Sequence, residues 1–207
     1  MFVGHFGIAQ FGKAARREIP LAWLLVAAYL PDFVRVLITP FTAEHEAFSH
    51  SIPAIIALSL LIGAVWQLRG GNLAAAAILA SACLLHWPAD VFTGCKPTTP
   101  HGPWIGFIQY RRPINDLLLE GGLLVGGWFA ARRHAVAVRP RWIGVGIAAQ
   151  VAFLVATYAQ AEFFIGNREW VWRPRESLTP VPHALETTPC RGPMRHWPET
   201  FGAARFH

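Results

Sequence analysis

Apolar residues come in long runs along this chain, and the polar residues that interrupt them gather at one end of each run. The runs cover about 19–38, 51–68, 72–92, 114–131 and 142–165. A helix needs roughly 20 mostly apolar residues to cross a bilayer, so the spacing predicts five spanning or near-spanning helices. The second run, SIPAIIALSLLIGAVWQL, carries no charge. Runs three to five are rich in alanine and glycine, which suits close helix packing in lipid. A shorter segment, about 2–16, is mixed in polarity and leads into Arg16, Arg17 and then Pro20. It predicts a short helix that turns back into the first span. With that turn near residue 17 or 18, His5 and Asp32 are almost equidistant from it. At about 1.5 Å of rise per residue, both finish at one level. The predicted fold is an all-α integral membrane bundle over residues 1–166, with five spanning helices plus the short N-terminal one. Residues 167–207 are rich in Pro, Arg and Trp and predict an extended tail or cap without a core of its own.

The direction of the spans sorts the polar residues. Asp32 lies near the exit of the first span, and His45 and His50 follow in the next loop. His86 and Asp90 lie at the exit of the third, with His101 in the loop beyond. Asp116 and Glu120 open the fourth, and Glu162 closes the fifth. If the spans alternate, all of these fall on one side of the membrane. Lys13, Arg16, Arg17, Arg69, Arg132, Arg133, Arg139 and Arg141 fall on the other. Basic residues favour the cytoplasmic side, so the polar group is expected to face outward from the bacterial inner membrane.

Composition agrees with a membrane protein. Of the 207 residues, 54% are hydrophobic and only 14% charged, with mean hydropathy +0.36; soluble domains average about 25% charged. The net charge of +6 is dispersed between apolar runs, so nucleic acid is not the expected partner and anionic lipid head groups are. The start, MFVGHFGIAQFGKAARR, puts its basic cluster after the apolar stretch, the reverse of a secretory signal. Cys83, Cys95 and Cys190 form no spaced framework; free thiols are expected, with a Cys95–Cys190 disulfide as the alternative.

The chemistry rests on histidines and aspartates. In HWPAD, His86 and Asp90 are four apart and share a helix face, so both can reach one ion. The bland reading is a histidine bonded within the bundle and an aspartate capping the next turn. In HEAFSHS, His45 belongs to the loop and His50 opens the second span; the bland reading makes Ser49 or Ser51 a helix cap, with Pro53 in the first turn. Asp32 in LPD is otherwise a helix stop after Pro31, and His5 an interfacial histidine. Ionisable groups in lipid are costly and mark sites, and imidazole with carboxylate is the ligand set of a hydrolytic metal centre. His45 is an additional candidate ligand, and His101, in KPTTPHGPW, is a further ligand or proton donor or else a loop residue. Asp116 and Glu120, again four apart, would take a second ion or an arginine.

In order, GHFGIA, LPD, HEAFSHS, HWPAD and the Asp of RRPIND resemble the bacterial inner-membrane metal-dependent hydrolases of the LexA-regulated type. That pattern in turn looks similar to the zinc-dependent phospholipase C and single-strand-specific zinc nuclease fold, an all-helical fold with up to three zinc ions. The resemblance covers about residues 1–130. It implies His5, Asp32, His50, His86 and Asp90 as metal ligands, with Asp90 bridging two ions and His101 and Asp116 as softer matches. Where the family often has Arg, this chain has Glu46, and Ser49 replaces a Thr.

The function expected is hydrolysis of phosphoester bonds in a lipid or lipid-linked head group. One to three zinc ions, with manganese or iron as alternatives, would activate water. Asp32 or Asp90 would orient that water, and Lys96 or Arg111 would neutralise the phosphate. A transporter with a proton or metal path is the first rival, and a non-catalytic protein with a structural metal the second. Oligomeric state is not legible.

Overall fold

The computed structural model describes residues 3–42, 45–107, 113–134 and 138–164. They are almost entirely helical: α1 Gly4–Ala15, α2 Leu21–Ile38, α3 His45–His50, α4 Ile52–Leu68, α5 Leu73–Leu84, α6 His86–Thr93, α7 Pro113–Arg133 and α8 Pro140–Phe164. The only strands among the described residues are β1 (Lys96–Pro97) and β2 (Trp104–Ile105), a short antiparallel ladder pairing Lys96 with Ile105 and Pro97 with Trp104. The all-helical bundle expected from the apolar runs is present. The tail expected at 167–207 lies outside the described residues.

Five spans are not shown among the described residues. Among the described residues, Leu21–Ile38 and the Leu73–Thr93 stretch are long and apolar enough to cross a membrane, and Ile52–Leu68 is a shorter apolar helix. The physical reason lies in the ends of the runs. Helix α4 is 17 residues long, and α7 spends its opening turns on Asp116 and Glu120 and its last turn on Arg132 and Arg133. The third run breaks locally at Leu85, between α5 and α6, while the whole Leu73–Thr93 stretch keeps the length of a span. Pro88 has no N–H to donate to the Leu84 carbonyl, so one helical bond is missing there.

Local chemistry sets the other boundaries. The Asn72 side chain caps α5 by accepting from the Ala75 amide at 2.8 Å. Gly70, at φ +81°, makes the left-handed turn that ends α4. Helix α2 runs through Pro31 to Ile38, so Asp32 does not mark a helix stop. Ser51 precedes α4 but makes no side-chain cap, and Ser49 turns its hydroxyl to His50 instead; the capping roles expected of both serines are not taken.

Helix α1 packs between α2 and α7, α2 leads on to α5, α5 packs on α4, and α8 lies against α7. The main core joins Ile8, Ala9, Leu24, Ala27, Leu79 and Ala82 from α1, α2 and α5. Alanine and glycine at these crossings let backbones approach closely. The outer faces remain apolar, with Phe33, Val36, Leu37, Leu60 and Leu61 exposed, as suits helices solvated by lipid. At the basic end, the Arg17 guanidinium donates to His134 Nδ1 at 2.8 Å, tying the α1–α2 turn to the end of α7. Cys83 is a buried free thiol, whereas Cys95 is disulfide-bonded. That corrects the expectation of free thiols at Cys95.

Candidate metal centre

Four side chains from three separate stretches of chain converge at the polar end of the bundle. Asp32 comes from α2, His50 from the end of α3, and His86 and Asp90 from one face of α6. One ligand atom from each lies within 4.8 Å of all the others. His86 Nε2 and His50 Nε2 are 3.1 Å apart. Asp90 Oδ2 is 3.3 Å from His86 Nε2 and 3.5 Å from His50 Nε2. Asp32 Oδ1 is 3.3 Å from His50 Nε2 and 3.9 Å from His86 Nε2. Ligands bonded at 2.0–2.1 Å in a tetrahedron stand about 3.3 Å apart; four of these five separations, 3.1–3.5 Å, are close to that, and the fifth, Asp32 to His86, is wider.

The ring nitrogens point the same way. His86 Nδ1 donates to the Ala28 carbonyl at 2.8 Å, which leaves the Nε2 lone pair facing the cluster. His50 Nδ1 is 2.7 Å from Ser49 Oγ, so its Nε2 faces the same point. With one ring held at Nδ1 by a carbonyl and the other by a hydroxyl, both Nε2 atoms are turned to one point, the arrangement of metal-ligating histidines. His50, His86 and Asp90 are fully or almost fully buried, while Asp32 is 34% exposed. The cluster therefore opens on the Asp32 side.

His5 is beside the group and not one of the four. Its Nε2 is 3.7 Å from Asp90 Oδ1, the oxygen turned away from His50 and His86. Its ring stacks on His86 with centroids 3.9 Å apart. It is fully buried, and neither ring nitrogen makes a hydrogen bond among the described residues. Buried polar atoms normally find partners, so His5 is a donor in want of one. The hairpin argument that levels His5 with Asp32 agrees with this placement.

A ring of charges surrounds the ligands. Glu46 Oε1 is 2.9 Å from Arg35 Nε, and its Oε2 is 3.1 Å from Lys96 Nζ and 3.6 Å from His50 Nδ1. Lys96 Nζ also lies 3.1 Å from Asp90 Oδ2. The β1–β2 ladder positions Lys96, and the bond from Ile52 N to Thr98 O, 3.0 Å, ties that hairpin to the start of α4. Burial alone pushes the Glu46 carboxyl up, but Lys96, His50 and Arg35 outweigh it and hold the group at about 2. Burial disfavours the Lys96 ammonium, yet Asp90 and Glu46 raise its pKa above the usual value. Both stay charged at neutral pH.

The remaining residues singled out in the sequence lie elsewhere. His101 is exposed in the turn between β1 and β2. Asp116 is buried on α7, accepts from Gln150 Nε2 at 2.7 Å, and is outside the ligand group. The His45 side chain and Arg111 lie outside what is described. Arg35 and Glu46 carry no motif of their own. The one signal in the sequence is Glu46 inside HEAFSHS, where the resemblance leads one to expect arginine; in the structure its partners are Arg35 and Lys96.

The family model of the YdjM inner membrane proteins matches residues 2–164. The chain belongs to that family. The match spans every residue of the cluster, and it bears out the inner-membrane resemblance read from the motifs. No curated protein and no solved structure matches, so the wider likeness to zinc phospholipases and nucleases is not shown.

Proposed function

We propose that this YdjM-family member is a metal-dependent hydrolase of phosphoester bonds in a lipid or lipid-linked head group, working at the outer face of the inner membrane. The observation that carries the reading is the opposed Nε2 pair of His50 and His86, closed by Asp32 and Asp90 and open to one side. Structural metal sites are closed, whereas catalytic ones keep a position for water or substrate. Four protein ligands alone would make a closed site; the exposure of Asp32 leaves a side on which water or substrate can add to them.

In this reading Asp32, His50, His86 and Asp90 hold one ion, with zinc best suited to two imidazoles and two carboxylates. His5 extends the set towards Asp90 Oδ1. Such an ion, when bound, supplies Lewis acidity and a hydroxide nucleophile near pH 7. Asp32, the accessible carboxylate, would orient a water entering on the open side as a further ligand and would accept its proton. Lys96 has one ammonium hydrogen beyond those given to Glu46 and Asp90, and it donates to a phosphoryl oxygen. Arg111 is the other candidate for that task.

Charge favours an anionic substrate. Asp32, Glu46 and Asp90 face Arg35 and Lys96, which leaves one negative charge; a divalent ion turns the site positive by one. Exposed Phe33, Phe41 and Phe48 flank Asp32 and Glu46 in the chain. In this reading they supply the opening with an apolar rim, which suits a substrate whose tail stays in the bilayer. The remaining apolar runs lie in the membrane with the two long spans, and the basic ends of α1, α4 and α7 lie on the cytoplasmic side. A transporter would need polar groups along the spans, and α4 offers none with charge.

The test is hydrolysis of bis-p-nitrophenyl phosphate and of a lipid-linked phosphodiester by the full chain in detergent. Activity lost to a chelator, restored by zinc and absent in D90N supports the reading. Bound metal without turnover on either substrate sinks it and leaves a structural metal.

A further inference from the structure

Helix α1 begins without a cap of its own. Val3 stands at the cap position and offers no side-chain acceptor, while a helix start leaves its first backbone N–H groups without partners. The acceptor comes from 117 residues away. Glu120, fully buried on α7, takes the Val3 amide at 2.6 Å and the Gly4 amide at 3.1 Å on one oxygen, Oε2. A carboxylate is also the charge that a helix N-terminus favours. The next residue along is His5.

The His5 ring has no hydrogen bond to orient it among the described residues, unlike His86, held by Ala28 O, and His50, held by Ser49. Where the His5 ring stands is set by where α1 starts. Two features of α7 fix that start. One is the Glu120 cap. The other is a glycine crossing: a Cβ on Gly7 would collide with the Leu123 carbonyl, and one on Gly127 with the Gly7 carbonyl. The backbones of α1 and α7 are thus in direct contact about half a turn on from His5.

We propose that Glu120 is a positioning residue for His5: by capping α1 from α7 it sets the His5 imidazole against His86 and Asp90. The acidic face of α7 then serves the metal centre through α1 and is not a second ion site. Only the metal arm of the test below rests on the metal-dependent reading.

The experiment compares the full-length protein in detergent with E120A, E120Q and H5A. Diethyl pyrocarbonate labelling, read residue by residue by mass spectrometry, should leave His5 protected in the parent and in E120Q, whose amide oxygen keeps the acceptor. In E120A His5 should lose protection while His50 and His86 keep theirs. In the second arm, the visible spectrum of bound cobalt(II) in E120A should shift as it does in H5A, with about a tenfold loss of metal affinity, the scale of second-sphere effects. His5 staying protected in E120A overturns the proposal. So does loss of protection at all three histidines together, which makes Glu120 a general prop of the fold. If E120A does not fold, G7A displaces α1 from the same helix and must expose His5 selectively. A parent that binds no cobalt defeats the metal reading, and the labelling arm still decides the role of Glu120.

Discussion

His86 Nδ1 stands 2.8 Å from the carbonyl oxygen of Ala28, a bond between α6 and α2 across 58 residues of chain. A carbonyl accepts only, so the imidazole proton is on Nδ1 and the Nε2 lone pair is committed to the cluster. One backbone oxygen therefore decides which nitrogen is available to an ion. His86→Ala should abolish stoichiometric metal in the purified protein, measured by plasma mass spectrometry. His101→Ala, an exposed change in the β1–β2 turn, should leave it intact. Metal retained in H86A would mean that the four atoms do not act as one site.

Lys96 lies between two buried carboxylates, and its loss should be felt most without metal. Removing one member of a buried pair costs about 3–5 kcal/mol, because a charge is left uncompensated. K96M should lower the midpoint of thermal unfolding in the apo protein. Added zinc should recover much of that loss, since a cation beside Asp90 restores the balance. Equal destabilisation with and without zinc would separate Lys96 from the metal centre.

Glu46 touches His50 from behind, with Arg35 and Lys96 holding it charged. E46Q keeps the shape and removes the charge. It should weaken zinc binding about 10–100-fold, the usual effect of altering a ligand's outer partner, as read by competition with a chromogenic chelator. An unchanged affinity would reduce the Glu46 network to a surface ion cluster.

The periodic features of this chain are legible because each is local. HWPAD puts His86 and Asp90 on one face by helical spacing alone, and the short helix before Pro20 brings His5 level with Asp32. Apolar runs mark every long helix to within two or three residues. What escapes is non-local. No spacing rule joins Glu46 to Arg35 on one side and Lys96 on the other, or Glu120 to the amides of Val3 and Gly4. The span count escapes for another reason. Hydropathy is summed over a run and takes no account of where the side chains of Asp116, Glu120 and the terminal arginines of α7 go.

Glycines on α7 separate contact from free surface. Gly127 meets the Gly7 backbone, while Gly121 and Gly122 have open space where a methyl group would stand. G127A should destabilise the protein by about 1–3 kcal/mol through overpacking. G121A should be neutral or stabilising by up to about 1 kcal/mol, since alanine is the better helix former. Chemical unfolding in mixed micelles would read both. Similar losses from the two changes would mean that α1 and α7 do not cross at Gly7 and Gly127.

Sidedness follows from the helices that deliver the ligands. Asp32 lies towards the end of α2, His50 precedes α4, and Asp90 lies towards the end of the Leu73–Thr93 stretch, so the loop after α2 and the hairpin after α6 are expected to share a face of the membrane. The turn between α4 and α5 must lie at the other end. Cysteines introduced at Phe41 and His101, both exposed, should react with an impermeant maleimide on intact spheroplasts. One at Gln67, exposed near the end of α4, should react only after the membrane is opened. The basic residues near that turn and at the ends of α1 and α7 favour the cytoplasm for it. Labelling of all three from outside would place the cluster off the membrane axis. Labelling of Gln67 alone would invert the chain and bring the substrate from the cytoplasmic leaflet.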